Sequence, residues 1–168
     1  MSDSGGGREE RGRIPATAAT ARYRPLLRAS AAVIFIAAGI ANIVLGRLLP
    51  ESYGVFGETA LLPWLSELWE SFVMPNVGLL TIVLGLFQIA CGLGVLWAVT
   101  VVPAAWGMVL FLTFVTVLGY GFPAESIGED LLRNRLITIV MAAVLVPLLI
   151  PRRRGPRSEK GSHTHVNS

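Results

Sequence analysis

Charge is scarce in this sequence, and so are cysteine and histidine. Only 15% of its 168 residues are charged and 53% are hydrophobic. Soluble domains carry about 25% charged residues, so this balance excludes an ordinary water-soluble enzyme and a disordered chain alike. The one cysteine, Cys91, lies in an apolar run. It can form neither an intramolecular disulfide nor a cysteine-based zinc cluster. The two histidines, His163 and His165, sit in a polar C-terminal stretch, so no apolar segment offers a histidine to a haem. No Asp or Glu lies within the apolar segments either, and an intramembrane carboxylate is the usual mark of a proton relay or cation path. Ser/His/Asp arrangements, P-loops and dinucleotide fingerprints are also missing.

What charge there is lies at the ends. Of 14 Lys and Arg residues, 6 precede residue 29 and 5 follow residue 151. They flank apolar segments and form no independent folded patch. The net charge of +3 therefore reads as membrane topology and not as nucleic-acid binding.

The apolar runs predict an all-α fold, an integral membrane four-helix bundle. Residues 1–28 read as a polar, basic, flexible tail. The run Ala29–Gly46 is 18 residues long and ends at Arg47. It exceeds a usual signal-peptide core and lacks a small-residue cleavage site, so it reads as a retained span over about 29–47. Residues 76–120 hold no charged side chain. As one helix they would extend about 67 Å, over twice the hydrocarbon thickness, so they must fold back. Pro103 marks the start of the returning helix. This predicts spans at about 76–97 and 103–120, joined by a turn at 98–102, with Trp97 and Trp106 at the rim. The fourth span is about 131–150, stopped by Arg152–Arg154. Residues 151–168 form a second basic tail.

Four spans put both termini on one side. Basic ends place that side in the cytoplasm, giving an N-in/C-in topology. The outer loops agree, since residues 48–75 carry Glu51, Glu58, Glu67 and Glu70 without a base. Within this loop, Thr59–Val73 has helical apolar spacing. It predicts an interfacial helix anchored by Trp64 and Trp69, with a cap packed over the bundle mouth as the alternative.

Small and polar residues mark helix seams. Gly78, Thr81, Gly85, Gln88 and Gly92 share one stripe of the second span. Ala32, Gly39, Asn42 and Gly46 echo it in the first. Thr113, Thr116 and Tyr120 line the third, and Asn134, Thr138 and Met141 the fourth. Plain helix packing accounts for these stripes. A pocket for an apolar ligand with one polar head is the functional alternative. Asn42, Arg47, Gln88, Thr116 and Arg133 are then its contacts, in ligand binding or helix packing and not in catalysis. Terminal arginines such as Arg47 and Arg133 also commonly snorkel to phosphates.

The run from Arg28 through Gly39 to Asn42, the glycine-rich Gly78–Gly94 and the entry Asp130-Leu-Leu-Arg133-Asn134-Arg135 together resemble the DoxX-like family of small four-helix bacterial membrane proteins. The resemblance covers about residues 24–150. It implies an accessory or scaffold subunit in the bacterial inner membrane, beside membrane lipids and a redox partner subunit. Some members of the family are associated with quinone-linked oxidoreductases. The lack of membrane histidines puts redox cofactors in a partner, with no cofactor or metal held in this chain and a quinone the one candidate ligand. A quinone- or lipid-binding redox component and a small-solute transporter, working as a homo-oligomer, are the alternatives.

Overall fold

The computed structural model describes residues 16–122 and 124–150, with side chains from Tyr23 onward. The Gly-rich start, Arg152–Arg154 and both histidines lie outside the described residues. Every regular element among the described residues is helical. They are α1 (Ala16–Leu48), α2 (Val55–Glu58), α3 (Pro63–Leu68), α4 (Val77–Gly94), α5 (Val101–Leu118), α6 (Ile127–Asp130) and α7 (Leu136–Leu149). Wide π-type turns at Trp69–Val73 and Leu131–Arg135 let α3 lead into α4 and α6 into α7. Four helical stretches are long and apolar enough to cross a membrane: Tyr23–Leu48, Pro63–Gly94, Val101–Leu118 and Ile127–Leu149. Their large aliphatic side chains remain uncovered, as at Val33, Leu79, Leu110 and Ile137, each more than half exposed. Patches of that size are unfavourable in water and favourable in lipid.

α1 begins well before the apolar run, so residues 16–28 are helix and not flexible tail. The alanine-rich opening Ala16-Thr-Ala-Ala-Thr-Ala favours helix. Further along, two arginines tie α1 to its neighbours. Arg24 donates from Nη2 to the carbonyls of Pro147 (2.7 Å) and Ile150 (2.8 Å). Arg28 donates to the carbonyls of Val95 (2.7 Å) and Leu96. These carbonyls close α7 and α4, where the last turns have no partner of their own and carry partial negative charge. The turn between α4 and α5 spans residues 95–100, earlier than the pattern predicts. Thr100 Oγ1 closes it by donating to the Gly94 carbonyl at 2.6 Å. Pro103 lies in the first turn of α5, as expected.

α1 packs along α4 and α5 along α7, while α4 touches α5 and α1 touches α7. The main core holds Phe35, Val95, Ala105, Met108, Leu112 and Leu148. The α1–α4 seam is tight because it is built on glycine. A Cβ at Gly85 would lie 2.5 Å from the Gly39 carbonyl oxygen, and one at Gly39 would lie 2.6 Å from that of Gly85. Gly46 sits against Thr81, and Gly92 against Ile36. Four members of the predicted α4 stripe face this seam. The fifth, Gly78, has open space beside it.

The long connection between α1 and α4 is folded over the helix ends. Pro63 opens α3, and Trp64 is exposed, both as the pattern predicts. Trp69 is not the interfacial anchor expected of it. It is only 7% exposed, and its Nε1 donates to the Tyr53 carbonyl at 2.8 Å. Leu65 and Trp69, one helical turn apart, point inward onto Tyr53, Val77 and Leu118. The connection is thus a cap with its own small core. This end of the molecule is called the cap end below, and the end holding residues 95–100 the hairpin end.

Candidate functional site

Two polar clusters lie among the apolar helices. The first is in the α1–α4 seam. Asn42 and Gln88 face each other because each follows a glycine on its own stripe, Gly39 and Gly85, where the backbones come closest. Asn42 Nδ2 donates to Gln88 Oε1 at 2.6 Å. Tyr53, from the cap, donates its hydroxyl to Asn42 Oδ1 at 2.8 Å. Gln88 is 1% exposed. Burial pushes the Tyr53 phenol above its ordinary value, so it stays a neutral donor. The cluster carries no charge and links α1, α4 and the cap in one chain of bonds.

The second cluster closes the connection from α5 to α6. Gly119 and Gly121 take φ values of +88° and +77°, which L side chains rarely adopt. The resulting turn is held by Asn134, which is fully buried. Its Oδ1 accepts from the backbone N–H of Tyr120 (3.2 Å) and Phe122 (2.9 Å). Its Nδ2 donates to the Phe122 carbonyl (2.9 Å) and to Asp130 Oδ1 (2.8 Å). Arg135, 5% exposed, sits beside it. Its Nε donates to Asp130 Oδ2 at 2.7 Å, and Nη2 to the Thr59 carbonyl at 2.8 Å. Nη1 donates to the carbonyls of Thr116 and Val117, two acceptors left open at the end of α5. Thr116 donates to Thr138 Oγ1 at 2.7 Å, and Thr138 donates in turn to the Arg135 carbonyl at 2.8 Å. Thr59 adds a donation to the Leu118 carbonyl and accepts from the Gly121 N–H.

Neighbouring residues on a helix point about 100° apart. Asn134 and Arg135 nevertheless both turn inward, because they lie in the wide Leu131–Arg135 turn that re-phases the helix.

Of the five residues predicted as contacts, the structure brings Asn42 and Gln88 into direct contact. Thr116 belongs to the other cluster. Arg47 is exposed at the end of α1. Arg133 is exposed and pairs with Glu129 at 2.8 Å, an i, i+4 surface pair. Sequence reasoning did not select Tyr53, Thr59, Asp130 or Arg135 as site residues. The i, i+4 spacing of Asp130 and Asn134 was a usable signal. The choice of Arg135 over Arg133 carried none, because the turn breaks the local period. Cys91 is buried in the core, with its sulfur against Gly107. No group of three or more His, Cys, Asp or Glu converges among the described residues.

Both clusters satisfy themselves. Among the described residues, no buried side-chain nitrogen or oxygen lacks a hydrogen-bond partner. The arrangement can orient helices and hold the cap. It presents no activated nucleophile and no general base poised over a cleft.

Asn42→Leu should destabilise the protein by about 1–3 kcal/mol, because Gln88 then keeps a buried carbonyl without its donor. The double variant Asn42→Leu/Gln88→Leu should recover part of that loss. Denaturant unfolding in detergent across the four proteins measures it; additive losses would count against the pairing.

Comparison with protein-family models, with curated proteins and with solved structures gives no match for this chain.

Proposed function

We propose that the chain is a non-catalytic accessory or scaffold subunit, a four-helix bundle in the bacterial inner membrane with both termini in the cytoplasm. One observation carries this reading: among the described residues, every buried side-chain nitrogen or oxygen has a hydrogen-bond partner. Polar groups kept for a substrate would leave bonding capacity facing a cleft, whereas these are used in joining helices. The resemblance to DoxX-like proteins supports the same role and points to a quinone-linked redox assembly, with the redox cofactors held by the partner. The orientation follows from the basic ends and the acidic cap segment.

Affinity purification in mild detergent tests the role. The expected result is one defined membrane partner at a fixed stoichiometry; isolation of the chain alone, under conditions that keep other membrane complexes whole, would overturn it. Topology is tested separately in a Cys91→Ala background. A cysteine at Ser52, which is exposed in the cap, should react with an impermeant reagent added to intact cells, and one at Ser158 should not. The reverse pattern would invert the orientation.

The second reading, a quinone-binding component, needs Tyr53, Asn42 or Gln88 to exchange one of these mutual bonds for a quinone carbonyl. It requires quinone to co-purify with the native protein and to be lost from Gln88→Leu.

A further inference from the structure

Between α1 and α7 the packing opens into a groove of about 140 Å³. Its walls are Leu27, Ala31, Ile34 and Phe35 on α1, and Val144 and Leu145 on α7. Ser30 supplies its one polar side chain. An opening so apolar offers nothing to a polar solute, and it suits a hydrocarbon chain.

The groove lies toward the hairpin end, and Arg24 stands at its mouth. Arg24 shares the α1 stripe of Leu27 and Ala31, at i, i+3 and i+7. Its guanidinium reaches across to the Pro147 and Ile150 carbonyls of α7, so it bridges the two helices that wall the groove. Those bonds run through one of its three nitrogens, and a guanidinium presents five N–H donors in all. Arg28 lies one helical turn further along. Within the described helices around it, residues 23–50, 76–120 and 131–150 contain no Asp or Glu to offset this charge.

We propose that the groove between α1 and α7 is a binding site for an anionic phospholipid, with an acyl chain between Ile34 and Val144 and the phosphate at Arg24. The apolar lining selects the chain, and the charge of Arg24, with Arg28 one turn away, selects the negative head. The site rests on the reading that the helices lie in a bilayer, and it is independent of orientation and of any partner subunit. A lipid held here would fill the weakest of the contacts between neighbouring long helices and steady the α7 end against α1.

The test is native mass spectrometry of the purified full chain, titrated with phosphatidylglycerol and phosphatidylcholine of identical acyl chains. The expected result is one retained phosphatidylglycerol, favoured about fivefold or more over phosphatidylcholine, as one nearby arginine alone would give. Ser30→Phe and Val144→Phe, each placing a ring in the groove, should cut retention of both lipids several-fold. Arg24→Gln should abolish the preference while leaving the residual binding of either lipid. Equal retention of the two lipids by the unaltered chain would overturn the proposal. So would groove-filling variants that bind like the unaltered chain, or a homodimer lost on Ser30→Phe with no lipid retained, which would assign the groove to a second copy. Failure of the bilayer reading itself would show earlier, as extraction of the chain from membranes by alkaline carbonate without detergent.

Discussion

Gly85→Val should abolish stable folding, whereas Gly78→Ala on the same helix should leave it intact. The contrast follows from what each position faces. A Cβ at Gly85 would lie 2.5 Å from the Gly39 carbonyl oxygen and 2.5 Å from the Ile43 side chain. The backbone oxygen cannot rotate away, so relief requires α1 and α4 to separate. That separation would pull Asn42 from Gln88 and loosen Gly46 from Thr81. In lipid, helix association depends on close packing and interhelical hydrogen bonds, with little hydrophobic drive between helices. The loss should be about 3 kcal/mol or more, at the upper end of overpacking costs. At Gly78 an added Cβ meets nothing within 4 Å. There the better helix propensity of alanine should change stability by no more than about 1 kcal/mol, in the favourable direction. Size-exclusion profiles in detergent and denaturant unfolding would show both effects. A monodisperse Gly85→Val with near-native stability would mean that the helices do not cross at these glycines.

Arg135→Leu is the second large effect, expected to cost about 3–5 kcal/mol, with Arg133→Leu two residues away costing about 1 kcal/mol or less. Arg135 is buried and serves four groups: the Asp130 carboxylate, the Thr59 carbonyl of the cap, and two carbonyls ending α5. Removing it leaves Asp130 beside Asn134 with no cation and leaves the cap hydrogen-bonded to the end of α5 only by Thr59 on Leu118 and the Leu61 N–H on Val117. Arg133 lies on the exposed face, where an i, i+4 pair with Glu129 contributes little. Arg135→Lys should recover only part of the loss, because a single ammonium cannot span Asp130, Thr59 and the end of α5 together. Limited proteolysis within residues 49–62 gives an independent readout. Cleavage there should rise sharply for Arg135→Leu and stay unchanged for Arg133→Leu. Equal sensitivity of the two arginine variants would sink the assignment of Arg135 as the cap's anchor.

Both predictions contrast two like residues a short distance apart, and the sequence treats each pair almost alike. Gly78 and Gly85 share a stripe, and helical periodicity gives them equal standing. What separates them is the neighbour across the seam: Gly85 meets Gly39, and Gly78 meets open space. Arg133 and Arg135 flank Asn134 in the entry to the last span. A regular helix would not turn Asn134 and Arg135 inward together. The π-type turn does, and local spacing carried no sign of it. The amphipathic spacing of Thr59–Val73 places Trp69 at an interface. Leu65 and Trp69 of that apolar face cover Tyr53 and Val77 instead, while Leu61, Leu68 and Phe72 stay exposed.

The composition and the order of apolar runs determined by themselves that the fold is helical, that four helices are long enough to cross a membrane, and that Pro103 lies in the first turn of the third. Those properties depend on local quantities: the transfer cost of charge, the rise of a helix, the geometry of proline. The glycine stripe and the seam partners Asn42 and Gln88 were legible for the same reason, since a stripe is a property of one helix. Only the tertiary structure decided that Trp69 turns inward and which arginine is buried. It alone opened the groove beside Arg24. Each of these depends on which segment lies opposite, because a buried polar group needs a partner and a close backbone approach needs a gap on both sides. Partners distant in sequence, such as Thr59 and Arg135 or Arg24 and Pro147, meet only once the chain has folded.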